Sequence, residues 1–376
     1  MKSKYLNLIE KFWRVKTDIQ NKAKILLCFL IIVSLFFING CSNLKNSVNR
    51  EKVDLGLVIT TSQDYKSEIL WFDINLDSIQ KQKLSYAMLG SPFYSPPVNG
   101  DKIYLIPKGL GNKKDTRKVI SINKKSQDIE EYPFTNIALN HVASIGNNIY
   151  AINTLNGDSC LESYDVVSKK RKSIILEKAY LETIIASSNK LFCFVRKFNN
   201  NSSKEQESML NVYTPSLDLE AEIDITEYGN PTRMYLEDED NLYVTVNRNA
   251  NIKPVGKILK INKSTFEISE FITKKDIPYN IFKFGDRFIL TYYDPVTNEG
   301  TEVSVWDESG NEQIFDLKTP LTVTGIVNDK FVAANNNSIK IFSIPDFKLI
   351  KEHELSIGTS NYVSALLFVN EWCIKK

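Results

Sequence analysis

The chain has two histidines in 376 residues, His141 and His353, and its five cysteines are Cys28, Cys41, Cys160, Cys193 and Cys373. The cysteines are widely spaced with no CxxC pair, so neither a zinc site nor a disulfide framework is legible. Histidine this sparse also weakens metal and His-based catalytic readings. GxSxG, a phosphate loop, HExxH and a paired catalytic Cys and His are all missing, which removes the chemistries that short local motifs carry. Any active site would have to be assembled from distant loops. No stretch after residue 45 sustains a helical period. The marked apolar run, Ile25 to Ile38, counts only 14 residues, and as a helix it would reach about 21 Å against a hydrocarbon core of about 30 Å. An uncleaved membrane anchor is therefore disfavoured.

What surrounds that run is informative. A basic stretch precedes it, and Asn39, Gly40 and Cys41 follow. The order basic, apolar, small, cysteine is that of a secretory leader, and it resembles the lipobox of bacterial lipoproteins. The resemblance implies cleavage before Cys41 and a thioether-linked diacylglyceride on Cys41. The protein would then be lipid-anchored on the extracytoplasmic face of a cell membrane. Residues 1–40 are expected to be the signal peptide, 41–52 a lipidated tether and 53–376 the folded body. Cys28 inside the run reads as a small hydrophobe; Cys160, Cys193 and Cys373 read as inert thiols.

Losing the leader changes the sign of the charge. The whole chain has 47 Lys and Arg against 45 Asp and Glu, a net of +2. The leader holds seven of the bases and two of the acids, which leaves 40 bases against 43 acids. Basicity thus belongs to the targeting segment, and a nucleic-acid partner is not expected.

The body repeats. A turn followed by a short apolar strand recurs as GDKIYLI (100–106), GNNIYAI (146–152), SNKLFCF (188–194), EDNLYVT (239–245), GDRFILT (285–291), NDKFVAA (328–334) and NEWCIKK (370–376). Their third residues, Lys102, Asn148, Lys190, Asn241, Arg287, Lys330 and Trp372, are 46, 42, 51, 46, 43 and 42 residues apart. Each unit continues into a further strand, a turn and another strand, as in KVISINKKSQDIEEYPF. β-branched and aromatic strands between Gly, Asn, Asp and Ser turns indicate an all-β chain. A period near 45 matches the four strands of a β-propeller blade. Residues 55–85 read as the last three strands of a blade without its first, and the C-terminal SALLFVNE (364–371) supplies a first strand. Pairing them closes a ring of seven blades and removes the sheet edges. WCIKK would duplicate a second strand, so eight blades is the alternative.

YSPPVNGDKIYLI with KVISINKKSQ resembles a repeat of the quinoprotein-like propellers, a superfamily that includes a Gram-negative outer-membrane assembly lipoprotein. VSVWDESGNE (303–312) is similar to a WD-type strand and turn. The tryptophan-docking motif of quinoprotein repeats and the Gly-His pair of WD repeats are absent. The resemblance implies the fold and no activity.

Two features suggest a binding site. The segments between second and third strands, 107–117, 196–208, 247–256 and 292–301, are long and should share a face with the connections between blades. Eight residues before each repeat anchor, at the start of the innermost strand, stand Tyr94, Asn140, Glu182, Arg233, Tyr279, Thr322 and Ser364, all polar. In a seven-fold ring they surround one mouth of the central channel, with His141 one step inside. Glu237 to Asp240 (EDED) lacks the spacing of a calcium loop and reads as a solvated turn. Lys124, Lys125 and residues 169–172 fall on the opposite face, where solvation is the plain reading and anionic lipid or wall polymer the other. No cofactor is expected. The leading expectation is a membrane-anchored binding or scaffolding module for an envelope protein or glycan, and the rival is an extracytoplasmic hydrolase or lyase with its site at the channel mouth.

Overall fold

Alternation along the second strand of each repeat decides the architecture. In the strand Asn148–Leu155, Ile149 and Ala151 pack with Tyr104 and Val119 of the preceding repeat, whereas Tyr150 and Ile152 pack with Ile184 and Leu191 of the following one. Both faces are buried, so the strand reads as one apolar run rather than alternating with polar residues. A sheet covered on both faces by like sheets, with successive sheets following one another, is a blade of a propeller.

The computed structural model describes residues 53–110, 117–198 and 206–369. The expected leader with Cys28, and Cys41 with the expected tether, lie outside the described residues, as do Cys373 and WCIKK. The strands are β1 (Leu55–Thr61), β2 (Ser67–Phe72), β3 (Ser78–Leu84), β4 (Val98–Asn99), β5 (Lys102–Leu105), β6 (Lys118–Asn123), β7 (Ile129–Pro133), β8 (Leu139–Ile145), β9 (Asn148–Leu155), β10 (Asp158–Asp165), β11 (Arg171–Leu176), β12 (Ala179–Ser187), β13 (Lys190–Phe198) and β14 (Gln206–Tyr213). The second half holds β15 (Leu219–Asp224), β16 (Asn230–Glu237), β17 (Asn241–Arg248), β18 (Pro254–Asn262), β19 (Ile268–Ile272), β20 (Pro278–Phe284), β21 (Arg287–Asp294), β22 (Glu299–Trp306), β23 (Glu312–Asp316), β24 (Val323–Val327), β25 (Lys330–Ala334), β26 (Ser338–Ser343), β27 (Leu349–Glu354) and β28 (Asn361–Phe368). They form seven four-stranded antiparallel sheets, six of them from consecutive strands and one in the order β28-β1-β2-β3. The protein is a seven-bladed β-propeller, and the eight-bladed alternative is not the one formed.

Closure follows the expectation. β28 pairs antiparallel with β1, setting Leu366 opposite Leu57 and Phe368 opposite Leu55. The six described repeat anchors, Lys102, Asn148, Lys190, Asn241, Arg287 and Lys330, each begin the second strand of a blade. Gly56 is required at the closure, because a Cβ there would lie 2.5 Å from the ring of Trp71, which is fully buried on it.

Seven apolar clusters fill the seven gaps between neighbouring blades, so the core is a ring of interfaces and not a central plug. Each fully buried Leu, Ile or Phe in them stabilises by roughly 1.5–3 kcal/mol. Outermost strands carry charge instead, as in the exposed LIKEHE of β27, which protects them as edges. The turns between third and fourth strands share one device. Each holds a single residue with positive φ: Leu76, Gln127, Lys169, Leu217, Phe266, Gly310 or Phe347. That is the left-handed residue of a short bulged hairpin. In Leu76, Leu217 and Phe347 the side chain is turned into an inter-blade cluster.

Two of the long segments are half or more strand. β17 runs to Arg248 and β18 begins at Pro254, and β21 runs to Asp294 with β22 from Glu299. Hydrogen-bonded pairing continues into what composition presents as loop, so these are projecting hairpins with short tips.

Candidate functional site

Proline explains the centre of the molecule. The innermost strand of six blades has five to nine residues, but in the second blade it shrinks to Val98–Asn99. The residues before it are Ser91-Pro92-Phe93-Tyr94-Ser95-Pro96-Pro97, and three prolines cannot donate to a ladder. Released from its neighbour, the segment crosses the channel. The hydroxyl of Tyr279 donates to the carbonyl of Pro92 at 2.8 Å, and the Ser95 hydroxyl lies 3.8 Å from Met234 Sδ. On the near side, Asn99 holds the end of β4 to Ser144 and Gly146 of the third blade at 3.0 and 2.9 Å.

Tyr94 is the centre of this crossing. Its ring, 2% exposed, lies on that of His141, with centroids 4.4 Å apart. His141 meets the Thr183 hydroxyl through Nε2 at 3.2 Å. Arg233 donates through Nε to Glu182 at 2.9 Å and through a terminal nitrogen to the Tyr180 hydroxyl at 2.8 Å. Arg196 pairs with the other oxygen of Glu182 and stacks on Tyr180, 4.8 Å from the ring centre.

The electrostatics follow from burial. Desolvation, with the Arg233 and Lys108 charges adding to it, holds the His141 imidazole well below its usual range, so it is neutral. Burial raises the Tyr94 phenol, with Arg233 opposing. It also raises Tyr279, with Tyr293 adding. Burial works against the Arg233 charge, but Glu182 and Tyr180 outweigh it and the guanidinium is held charged. Burial and Arg233 together lower the Lys108 ammonium. Among the described residues, Arg233, Arg196 and Lys108 against Glu182 leave the centre of this face positive.

Among the eight residues expected at the channel mouth, Tyr94, His141, Glu182, Arg233 and Tyr279 are thus brought together. Asn140 sits beside them at the start of β8, its buried carbonyl oxygen, like Tyr94 Oη and His141 Nδ1, without a partner among the described residues. Thr322 accepts from the Tyr293 hydroxyl at 3.4 Å. Ser364 is fully buried and donates to the carbonyl of Leu89 at 2.6 Å. Cys41 lies outside the described residues. Sequence reasoning missed Tyr180 and Arg196, which lie two residues before Glu182 and opposite Tyr180 in the β12–β13 register. The density of proline around Tyr94 was the available signal for the crossing.

The hairpins that surround this cluster end on the same face, since Arg248 is opposite Asn230 and Tyr292 opposite Pro278 at the starts of β16 and β20. Their tips expose apolar side chains: Leu155, Ile252 at 59% and Val296 at 81%, with Phe93 of the crossing segment nearby in sequence to the buried Tyr94. Ile252 has a φ of 63°, a left-handed conformation that a β-branched residue adopts only under constraint.

The charged runs are internally paired. Glu237 accepts from the Ser187 hydroxyl and faces Lys263 at 3.7 Å, and Asp238 accepts from Tyr243 at 3.0 Å with Lys283 at 3.6 Å. Lys125 pairs with Asp101 at 3.1 Å and Lys172 with Asp218 at 3.2 Å. Lys124, unlike them, is 5% exposed. Cys193 is buried and Cys160 half-buried, both as free thiols.

No protein-family model matches the chain, and no curated protein matches its sequence. Among solved structures it is similar to dihydro-heme d1 dehydrogenase NirN in complex with DHE, at 12% identity and a TM-score of 0.48, covering 86% of this chain and 76% of that one. It is also similar to the AfRom2 CNH domain, at 14% identity and 0.48, covering 76% and 96%. A third is apo AztD from Citrobacter koseri, at 12% identity and 0.43, covering 84% and 97%. Likenesses this distant carry no argument about activity.

Proposed function

We propose that this propeller is a binding module, held at a membrane through a lipid on Cys41, that takes an envelope protein or glycan partner on the face of the crossing segment. One observation carries the reading: Leu155, Ile252 and Val296 stand exposed at the tips of three separate hairpins around a positive centre. Apolar side chains on projecting tips, one of them held left-handed at a cost of about 1–3 kcal/mol, are what a docking face presents. The central groups favour binding over proton transfer. Tyr94 and His141 are buried in their neutral forms, and Glu182 is committed to two arginines, whereas a general acid or base needs a pKa near the working pH.

The test is crosslinking of the native protein in membranes, followed by mass spectrometry, beside a triple variant Leu155→Ser, Ile252→Ser, Val296→Ser. A reproducible partner that the variant loses supports the reading, and a partner set that the variant leaves intact overturns it. Cys41→Ser is expected to block lipid labelling and precursor cleavage; unchanged processing would refute the anchor.

A further inference from the structure

Two lysines in equivalent places behave differently. Lys124 and Lys263 each follow Ile-Asn at the end of the third strand of a blade. Each donates its backbone N–H to the turn between the first two strands, Lys124 to the carbonyl of Asp101 at 2.7 Å and Lys263 to that of Asp240 at 2.8 Å. Both are buried, at 5% and 6% exposure. Lys263 donates its ammonium to the carbonyl of Asp238 at 2.6 Å and has Glu237 at 3.7 Å. Lys124 makes no ion pair or side-chain hydrogen bond among the described residues, and it lines a cavity of about 620 Å³ in the central channel.

That volume lies in the range of small-molecule sites. The cavity is bounded on one side by Pro92 to Val98 and on the other by β16, β20, β24 and β28. Its walls are more apolar than polar, with Leu236, Ile281, Phe282, Val323, Leu367 and Phe368 prominent and with Asn280 and Thr324, bonded to each other at 3.3 Å, among the polar lining. Phe368 lies directly on Gly325 of β24, where a Cβ would stand 2.1 Å from the ring. The glycine is what lets an aromatic face enter the channel. At the Lys124 end the remaining charge is Glu237, whose carboxylate is already taken by Ser187 and Lys263.

We propose that this cavity binds a small apolar acid, with its carboxylate against the Lys124 ammonium and its hydrocarbon or aromatic body against the inner strands. The Lys124 ammonium opens to the cavity and has no side-chain or backbone acceptor among the described residues, so a bound carboxylate would give it a charge-assisted partner. One lysine, with no arginine fork and with Glu237 near, suits a single negative charge and disfavours a dianion. The inference rests on the fold alone and does not depend on what the opposite face binds.

The test uses the full-length protein in its membrane, a decanoic acid carrying a diazirine, and the matching neutral N-methyl amide. After photolysis, mass spectrometry reads which peptides are labelled and at what half-saturating concentration. The acid is expected to label β20, β24 or β28 saturably, competed by plain decanoate, with the amide weaker. Lys124→Met should raise the half-saturating concentration of the acid about tenfold or more while moving the amide little, and Lys124→Arg should keep the preference for the acid. Equal labelling by acid and amide, labelling confined to outer strands, or an acid preference that survives Lys124→Met would overturn the proposal. If Lys124→Met does not fold, the acid-against-amide comparison on the unaltered protein and on Lys124→Arg decides it.

Discussion

The Tyr279 hydroxyl donates to the carbonyl of Pro92 across a sequence separation of 187 residues, joining the sixth blade to the segment that enters the second. This bond spans the channel instead of linking neighbours. It ties a strand weakened by prolines to a strand that is fully formed, and with the Tyr94–His141 stack it holds the crossing segment in place.

Tyr279→Phe tests that role. The ring keeps its packing against Tyr293, 5.6 Å away between centroids, while the Pro92 carbonyl loses its donor. A loss of about 0.5–1.5 kcal/mol is expected in urea unfolding at neutral pH. Unchanged stability would mean that the prolines and the Tyr94 stack position the segment without help.

Gly56→Ala tests ring closure. The added methyl would lie 2.5 Å from Trp71, a ring fully buried between the first and second blades. Overpacking in such a place costs about 1–3 kcal/mol. β1 is also the strand on which the C-terminal β28 pairs, so the loss should come with earlier proteolytic release of the C-terminal strand. Intact protection of that strand would show that closure survives a shifted Trp71.

The ring was legible because its causes are local: turn, apolar strand, turn, at a nearly constant period. Lys102, Asn148, Lys190, Asn241, Arg287 and Lys330 all begin second strands for that reason. The centre was not. Tyr94 shares its register with Asn140 and Glu182, yet Pro92, Pro96 and Pro97 free its segment to meet residues of the fifth and sixth blades, and no spacing in the chain encodes that contact. Likewise, Asn and Lys in 247–256 and Asp, Pro and Asn in 292–301 read as loop, although strand takes up half of the first segment and more than half of the second.

His141 makes stability depend on pH in a defined direction. Its folded-state pKa lies below the unfolded value, which is about 6.5. The unfolded chain therefore binds the proton first, and stability that is full above about 6.5 falls as the pH drops, by at most about 1.4 kcal/mol per unit. Around the ring stand Tyr94, the Thr183 hydroxyl, Arg233 and Lys108, none of them an anion that could stabilise imidazolium. Urea unfolding at pH 7 and pH 5.5 should show the decline in the natural protein and a smaller one in His141→Gln. Equal slopes would place the pH dependence elsewhere.

Left-handed turn residues permit a final prediction in which two effects oppose. Leu76 and Lys169 occupy the same turn position, at φ of 59° and 60°. Glycine at either relieves the backbone, a gain of at most about 1–2 kcal/mol. Leu76 is 1% exposed and packs between the seventh and first blades, so its removal costs about 2–5 kcal/mol. Lys169 is exposed; its ammonium lies 5.9 Å from the Tyr164 ring and acts on Asp165 and Glu130 through space, contacts that bury no apolar surface. Burial wins at the first position and backbone strain at the second. Leu76→Gly should lower the midpoint of unfolding and Lys169→Gly should leave it unchanged or raise it. A Leu76→Gly protein as stable as the natural one would mean that these side chains follow the turn and do not help to hold the blades together.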